Sequence, residues 1–194
     1  MEVAEQTITT NTSNIKVQKR DGRLEPLDID KIHFVVEEAC EGLTGVSSSQ
    51  IEINANIQFY DGITTKDIQH VLVKSANDLI SLENPNYQYA AARLLSYDVR
   101  KEAHGQYEYI PLLKLILRNI KLGVYDRTIV EKYHKSEIKK LNTWIKRDRD
   151  LDFTYAGLRQ VVDKYLVQDR STGELYETPQ DMYMMIAATL FANY

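Results

Sequence analysis

This chain is poor in the residues that usually advertise chemistry. It has one cysteine, Cys40, in 194 residues. A lone thiol excludes an internal disulfide, a dithiol redox pair and a cysteine-built zinc ribbon. No apolar run reaches the roughly 20 residues that span a bilayer, and the first residues lack the apolar centre of a signal peptide. A cytoplasmic protein without a membrane partner is the expectation. Net charge is −4 and the pI about 5.6, so the footprint of a nucleic-acid binder is missing. Any anion site must then be a local gathering of cations. There is no Gly-x-x-x-x-Gly-Lys-Ser/Thr loop and no Gly-x-Gly-x-x-Gly. The four histidines, His33, His70, His104 and His134, are scattered, and no Ser/His/Asp set stands out by spacing. No catalytic residue and no metal ligand is read from the chain, which leaves binding.

What is present begins at Val17-Gln18-Lys19-Arg20-Asp21-Gly22-Arg23. Asp-Gly is a strong hairpin signal because glycine takes positive φ at no steric cost. Ile15, Val17 and Lys19 share one face of the first strand, and Lys19 and Arg20 meet at the tip. An apolar strip leading into two cations suits a nucleotide's base and phosphates; a solvated surface hairpin is the plainer reading. Residues 1–14 are rich in Thr, Asn and Ser without periodicity and read as a disordered lead-in. After the hairpin, Asp28 or Asp30 can cap a helix whose Ile32, Val35, Val36, Ala39 and Cys40 form one stripe. Strict alternation of Ile51, Ile53, Ala55, Ile57 and Phe59 predicts a strand, although Ser47 and Gln50 make a helix-start box. Thr64 to Asp67 starts a clean helix bearing Ile68, Val71, Leu72, Ser75, Ala76, Leu79 and Ile80. Asn84-Pro85 is read as a cap with proline at the first helical position. The next helix carries Tyr87, Ala90, Ala91, Leu94 and Tyr97 inward. Lys101 continues that stripe, where on residues alone it suits the helix dipole.

From Ile110 onward the chain again reads as mostly helical. Leu112, Leu113, Ile116, Leu117 and Ile120 make one stripe, and Val130 to Trp144 one or two more helices. Arg147-Asp148-Arg149-Asp150 reads as a solvated turn of paired charges. Residues 165 to 177 read as a second hairpin, and Thr178-Pro179 as the start of a helix apolar nearly all round. Such a helix is expected to be buried in a larger body, as the front of a longer polypeptide.

Several stretches in order then resemble a known family. These are Val17-x-Lys19-Arg20-Asp21-Gly22, Asp30-Lys31-Ile32, Tyr60-Asp61-Gly62-Ile63-x-Thr65-x-Asp67-Ile68, and Pro85-x-Tyr87-Gln88-Tyr89-x-Ala91-Ala92-Arg93-Leu94. Tyr107-Glu108, Gly123-x-Tyr125-Asp126, Asp148-Arg149-Asp150, Phe153-x-Tyr155, Lys164-Tyr165-Leu166-Val167 and Thr172-Gly173-Glu174-x-Tyr176-Glu177 continue the series. The chain resembles the N-terminal ATP-cone region of the large (alpha) subunit of class Ia ribonucleoside-diphosphate reductase.

The resemblance implies a mainly α fold: a short β-hairpin plus four-helix cap over residues 15–106, then the helical start of a catalytic domain over 107–194, with a second hairpin. It turns residues 47–59 into helix. It implies an overall-activity site where ATP activates and dATP inhibits, with Mg²⁺. Lys19 and Lys101 then match phosphate-binding lysines, joined by Arg20. Glu25, Pro26, Leu27, Asp28, Ile29, Asp30 and Lys31 match the run around base and sugar, with Glu25 and Asp28 at the adenine edge. Val17, Ile32 and Phe59 become apolar neighbours, and Thr65 a polar contact. The chain departs from the pattern at Gln69 and Asp98, where histidines are expected, and at Asp28, where an asparagine is. Gln69 keeps hydrogen bonding but not charge. The implied partners are the rest of the alpha chain, a second alpha chain and a radical-generating beta subunit. The implied enzyme makes deoxyribonucleotides for DNA synthesis, while this stretch, lacking redox cysteines, is expected to be inactive alone. The alternatives are a cone-bearing transcriptional regulator, which needs a zinc ribbon, and a helical docking module without a nucleotide.

Overall fold

The computed structural model describes residues 15–192, so the lead-in assigned to residues 1–14 lies outside it. The chain falls into two compact units that divide after Tyr87. Both are dominated by helix.

In the first unit, β1 (Lys16–Gln18) pairs antiparallel with β2 (Leu24–Pro26), Val17 opposite Glu25. Gly22, at φ 84°, makes the turn possible. A third strand not expected from the pattern, β3 (Ile63–Thr64), runs parallel on the other side of β1, with Val17 opposite Ile63 and Gln18 opposite Thr64. The turn at Asp61-Gly62 fastens it: Lys16 N donates to Asp61 Oδ1 at 2.8 Å, and Gly62 N to Lys16 O at 2.8 Å.

Three helices complete the unit. α1 (Ile29–Cys40) is capped by Asp28, which accepts from Lys31 N, and buries Ile32, Val36 and Ala39. Val35 and Cys40, from the same predicted stripe, are half-buried. The alternating stretch is not a strand but α2 (Ser48–Asn56), in line with the family resemblance. The alternation splits into two sets with helical spacing. Ile51 and Ala55 are fully buried, whereas Ile53 and Ile57 are 63% and 72% exposed. Ser47 Oγ caps it, and Tyr87 Oη, accepting from Ser47 N at 3.0 Å, anchors its start. α3 (Thr65–Asp78) opens as its sequence predicts, Thr64 accepting from Asp67 N at 3.0 Å. It buries Val73 in addition to Ile68, Leu72, Ser75 and Ala76.

α4 (Tyr87–His104) starts two residues later than proline at a first helical position requires; 85–86 form a turn instead. Apart from Tyr87 it falls in the second compact unit. From Ala90 to Val99 every residue except Arg93 is buried.

α5 (Leu112–Lys121), α6 (Thr128–Lys132) and α7 (Lys135–Trp144) follow. Leu112, Leu115, Ile116, Ile129, Ile138 and Ala188 share a core. Leu117, placed in the predicted stripe, is 46% exposed, and Leu115 takes its place inside. Residues 147–151 form a 3-10 turn, and the charges there are not simply solvated: Asp150 is 1% exposed. α8 (Tyr155–Lys164) is capped by Thr154. The expected second hairpin is present in short form: Gln168 bridges Leu175 antiparallel, with Tyr176 N donating to Val167 O at 3.1 Å and Asp169 N to Glu174 O at 2.9 Å. α9 (Pro179–Leu190) has proline in its first turn and a Thr178–Asp181 capping box. It buries Met182 and Ala188 and leaves Tyr183, Ile186 and Leu190 largely exposed.

Candidate functional site

The hairpin register decides what the first unit gathers. Lys19 and Arg23 face each other at the tip, Lys19 N donating to Arg23 O at 2.8 Å. Side chains two apart share a strand face, so Glu25 falls beside both cations. Lys19 Nζ lies 3.2 Å from Glu25 Oε2 and Arg23 Nη1 3.4 Å from Glu25 Oε1. Arg23 is a member of this cluster that the sequence did not single out; its position two residues before Glu25 was the available signal. It also pairs with Asp21 at 2.7 Å.

Below the tip, residues 25 to 31 line a shallow recess of about 610 Å³. This is the same run that the family resemblance places around a base and sugar. The recess ends at the N-terminus of α1, where backbone N–H groups and the positive end of the dipole favour an anion. Asp28 uses Oδ1 for the cap, accepting from Lys31 N at 3.1 Å, and Oδ2 for Lys31 Nζ at 2.8 Å. The Lys31 side chain, then its backbone, hold the Asp28 carboxyl below its usual range, with Lys19 adding to the effect. The Lys31 ammonium is raised in turn by Asp28. Ionised Asp28 only accepts hydrogen bonds, so it suits an amino group on a ligand.

The remaining predicted residues divide in three. Val17 and Ile32, at 4% and 8% exposure, belong to the core beneath the hairpin. Phe59, Thr65 and Gln69 are half-buried; Thr65 begins α3, one residue beyond the Gln18–Thr64 pairing, with Gln69 a turn further. Arg20 is exposed beside Lys19. Lys101 lies in the second unit, exposed in the last turn of α4.

The second unit holds a buried ionic cluster that the sequence reading missed. Asp181 receives Arg147 Nη2 at 2.6 Å and His104 Nε2 at 3.1 Å, and Thr178 Oγ1 donates to its Oδ2 at 2.7 Å. Burial works against the Asp181 charge, but the hydrogen bonds of His104 and Arg147 prevail and hold its carboxyl well below the usual range. Nearby Asp150 behaves oppositely: burial pushes it up to about 7 against the pull of Gln180 and Arg147.

A three-stranded sheet, a cation-tipped hairpin and a recess at a helix start together make a small cap domain. Residues 15–102 match the ATP cone domain family, and residues 151–194 the ribonucleotide reductase all-alpha domain family. The chain is 48% identical over 181 residues to ribonucleoside-diphosphate reductase 1 subunit alpha of Escherichia coli, covering 93% of this chain and 24% of that one. It is 42% identical to the subunit alpha of Haemophilus influenzae over 93% of this chain and 24% of the relative, and 42% to that of Enterobacteria phage T4 over 91% and 23%. The chain belongs to the N-terminal region of the ribonucleoside-diphosphate reductase alpha-subunit family, and it spans about a quarter of the length of these relatives.

Proposed function

We propose that residues 15–106 form the overall-activity site of a ribonucleoside-diphosphate reductase, binding ATP as activator and dATP as inhibitor. The observation that carries this reading is the Lys19–Glu25 pair standing over the 25–31 recess, inside a segment that matches the ATP cone. Lys19 and Arg20 bind the triphosphate, and Glu25 and Asp28 meet the adenine edge. Thr65 and Gln69 supply polar contacts. The resemblance adds Lys101 as a further phosphate lysine. Mg²⁺ would travel on the triphosphate oxygens. The complete polypeptide, with a beta subunit supplying the radical, would reduce ribonucleoside diphosphates in the cytoplasm and work as an alpha dimer. Regulation then requires that ATP and dATP favour different assembly states, since equal affinity for both states shifts nothing.

The test is calorimetric titration of dATP and of ATP, each with Mg²⁺, into the 194-residue chain. Saturable binding in the micromolar range is expected, with Lys19→Ala and Lys101→Ala each weakening it at least about tenfold. Folded protein that gives no saturable heat overturns the proposal.

A further inference from the structure

The α5–α7 pair carries more apolar surface than its core consumes. α5 commits Leu112, Leu115 and Ile116 to the interior. Leu113, half-buried with one side against that core, and Leu117, 46% exposed, lie four residues apart and form a second apolar strip along the same helix. They line a groove of about 740 Å³, with Lys114, Lys121 and Lys139 among its walls. Among the described residues no carboxylate lines it. Asn142, also in the wall, fixes one end by accepting from Leu112 N at 2.8 Å.

The charge around the groove runs against that of the chain. Residues 111–123 contain Lys114, Arg118 and Lys121 and no acid, and α7 adds Lys135, Lys139 and Lys140 against Glu137 alone, in a protein of net charge −4. Arg118 is spent internally, its Nη2 donating to Tyr176 O at 3.0 Å and its Nε to Asn119 Oδ1 at 3.0 Å. Lys114, Lys121 and Lys139 have no ion-pair partner among the described residues. Unneutralised lysines around this apolar strip repel one another unless an anion arrives.

We infer that this groove docks an acidic amphipathic helix of a partner protein. Two apolar anchors spaced i, i+4 would enter between α5 and α7, and flanking Glu or Asp would meet the three lysines. This is the helix-in-groove mode, where apolar anchors supply affinity and charges supply register and rate. A membrane surface fits less well, because it needs apolar side chains that protrude from a broad face, and here they line a concavity.

The experiment uses fluorescence anisotropy on the 194-residue chain. The probe is a labelled helical peptide of about 14 residues, bearing two leucines at i, i+4 flanked by glutamates. Saturable binding that weakens with added salt is expected. The double variant Lys114→Glu/Lys121→Glu, and a peptide with serines in place of the leucines, should each lose about tenfold. Leu117→Ser, at an exposed position, should weaken the peptide similarly and leave dATP binding unchanged. The proposal is overturned by three outcomes: no saturable binding; equal binding by the folded double variant; or tighter binding of phosphatidylserine vesicles than of the peptide.

Discussion

Glu25 stands between Lys19 and Arg23, one carboxylate oxygen 3.2 Å from the lysine and the other 3.4 Å from the arginine. The hairpin thus supplies its own counter-ion, and a phosphate arriving at Lys19 must compete with it. Glu25→Gln removes the competitor. Affinity for inorganic tripolyphosphate should rise about two- to fivefold, the range of an exposed ion pair. Affinity for ATP should rise less or fall, because the same residue is proposed to meet the adenine. Calorimetry with both ligands measures the difference, and an equal gain for each would remove Glu25 from the base site.

Asp28 closes the first turn of α1 and pairs with Lys31. Asp28→Ala should lower the melting temperature by about 3–6 °C, whereas Asp28→Asn, which keeps a capping oxygen, should stay within about 2 °C. Thermal melts followed by circular dichroism decide between the two. The contrast separates the structural part of Asp28 from any loss of nucleotide affinity.

Ile51 and Ile53 are two residues apart, and one is fully buried while the other is 63% exposed. Ile51→Ala should cost about 2–4 kcal/mol, and Ile53→Ala no more than about 0.5 kcal/mol. Urea denaturation of both variants tests the helical register of α2. Equal costs would contradict it.

Asp150 gives the second unit a pH dependence. Its carboxyl titrates near 3.8 when exposed and near 7 when folded. The folded state therefore holds the proton that the unfolded chain releases between these values. The contribution is fully present below about pH 4 and is lost as the pH rises through 7. Asp150→Asn should remove that slope, raising stability at pH 8 by about 1–3 kcal/mol relative to pH 4. The single tryptophan, Trp144, lies in the same unit and reports its urea transition. An unchanged slope would place the titration elsewhere.

The legible parts of this chain were those governed by local rules. The Asp21-Gly22 turn, the Thr64–Asp67 and Thr178–Asp181 boxes and the inward stripe of α4 follow from neighbours within one or two turns of chain. The ordered motifs reached further and pointed to the cone. What escaped depended on distant partners. β3 is two residues long and has no pattern of its own; only its pairing with β1 makes it a strand. Period-two alternation in Ile51 to Phe59 also satisfies i, i+4 spacing, so burial alone could choose between strand and helix. Arg147 and Asp150 looked like solvated charges because His104 and Asp181, which give the cluster its interior character, lie over 30 residues away in sequence. At the candidate site the family resemblance points to the run from Glu25 to Lys31, which lines a recess, whereas Arg23 reads from sequence as an ordinary turn charge.

The middle strand is stitched on both edges, and that has a mechanical result. Val17 is held to Glu25 on one side and to Ile63 on the other, and Ile63 leads within two residues into α3. The cation-bearing tip and the first turn of α3 are therefore joined through one strand. α3 runs 14 residues, about 20 Å, from that junction at Thr65 to Asp78. Three short strands thus tie the cation-bearing tip to the start of α3 through hydrogen bonds on both edges of β1.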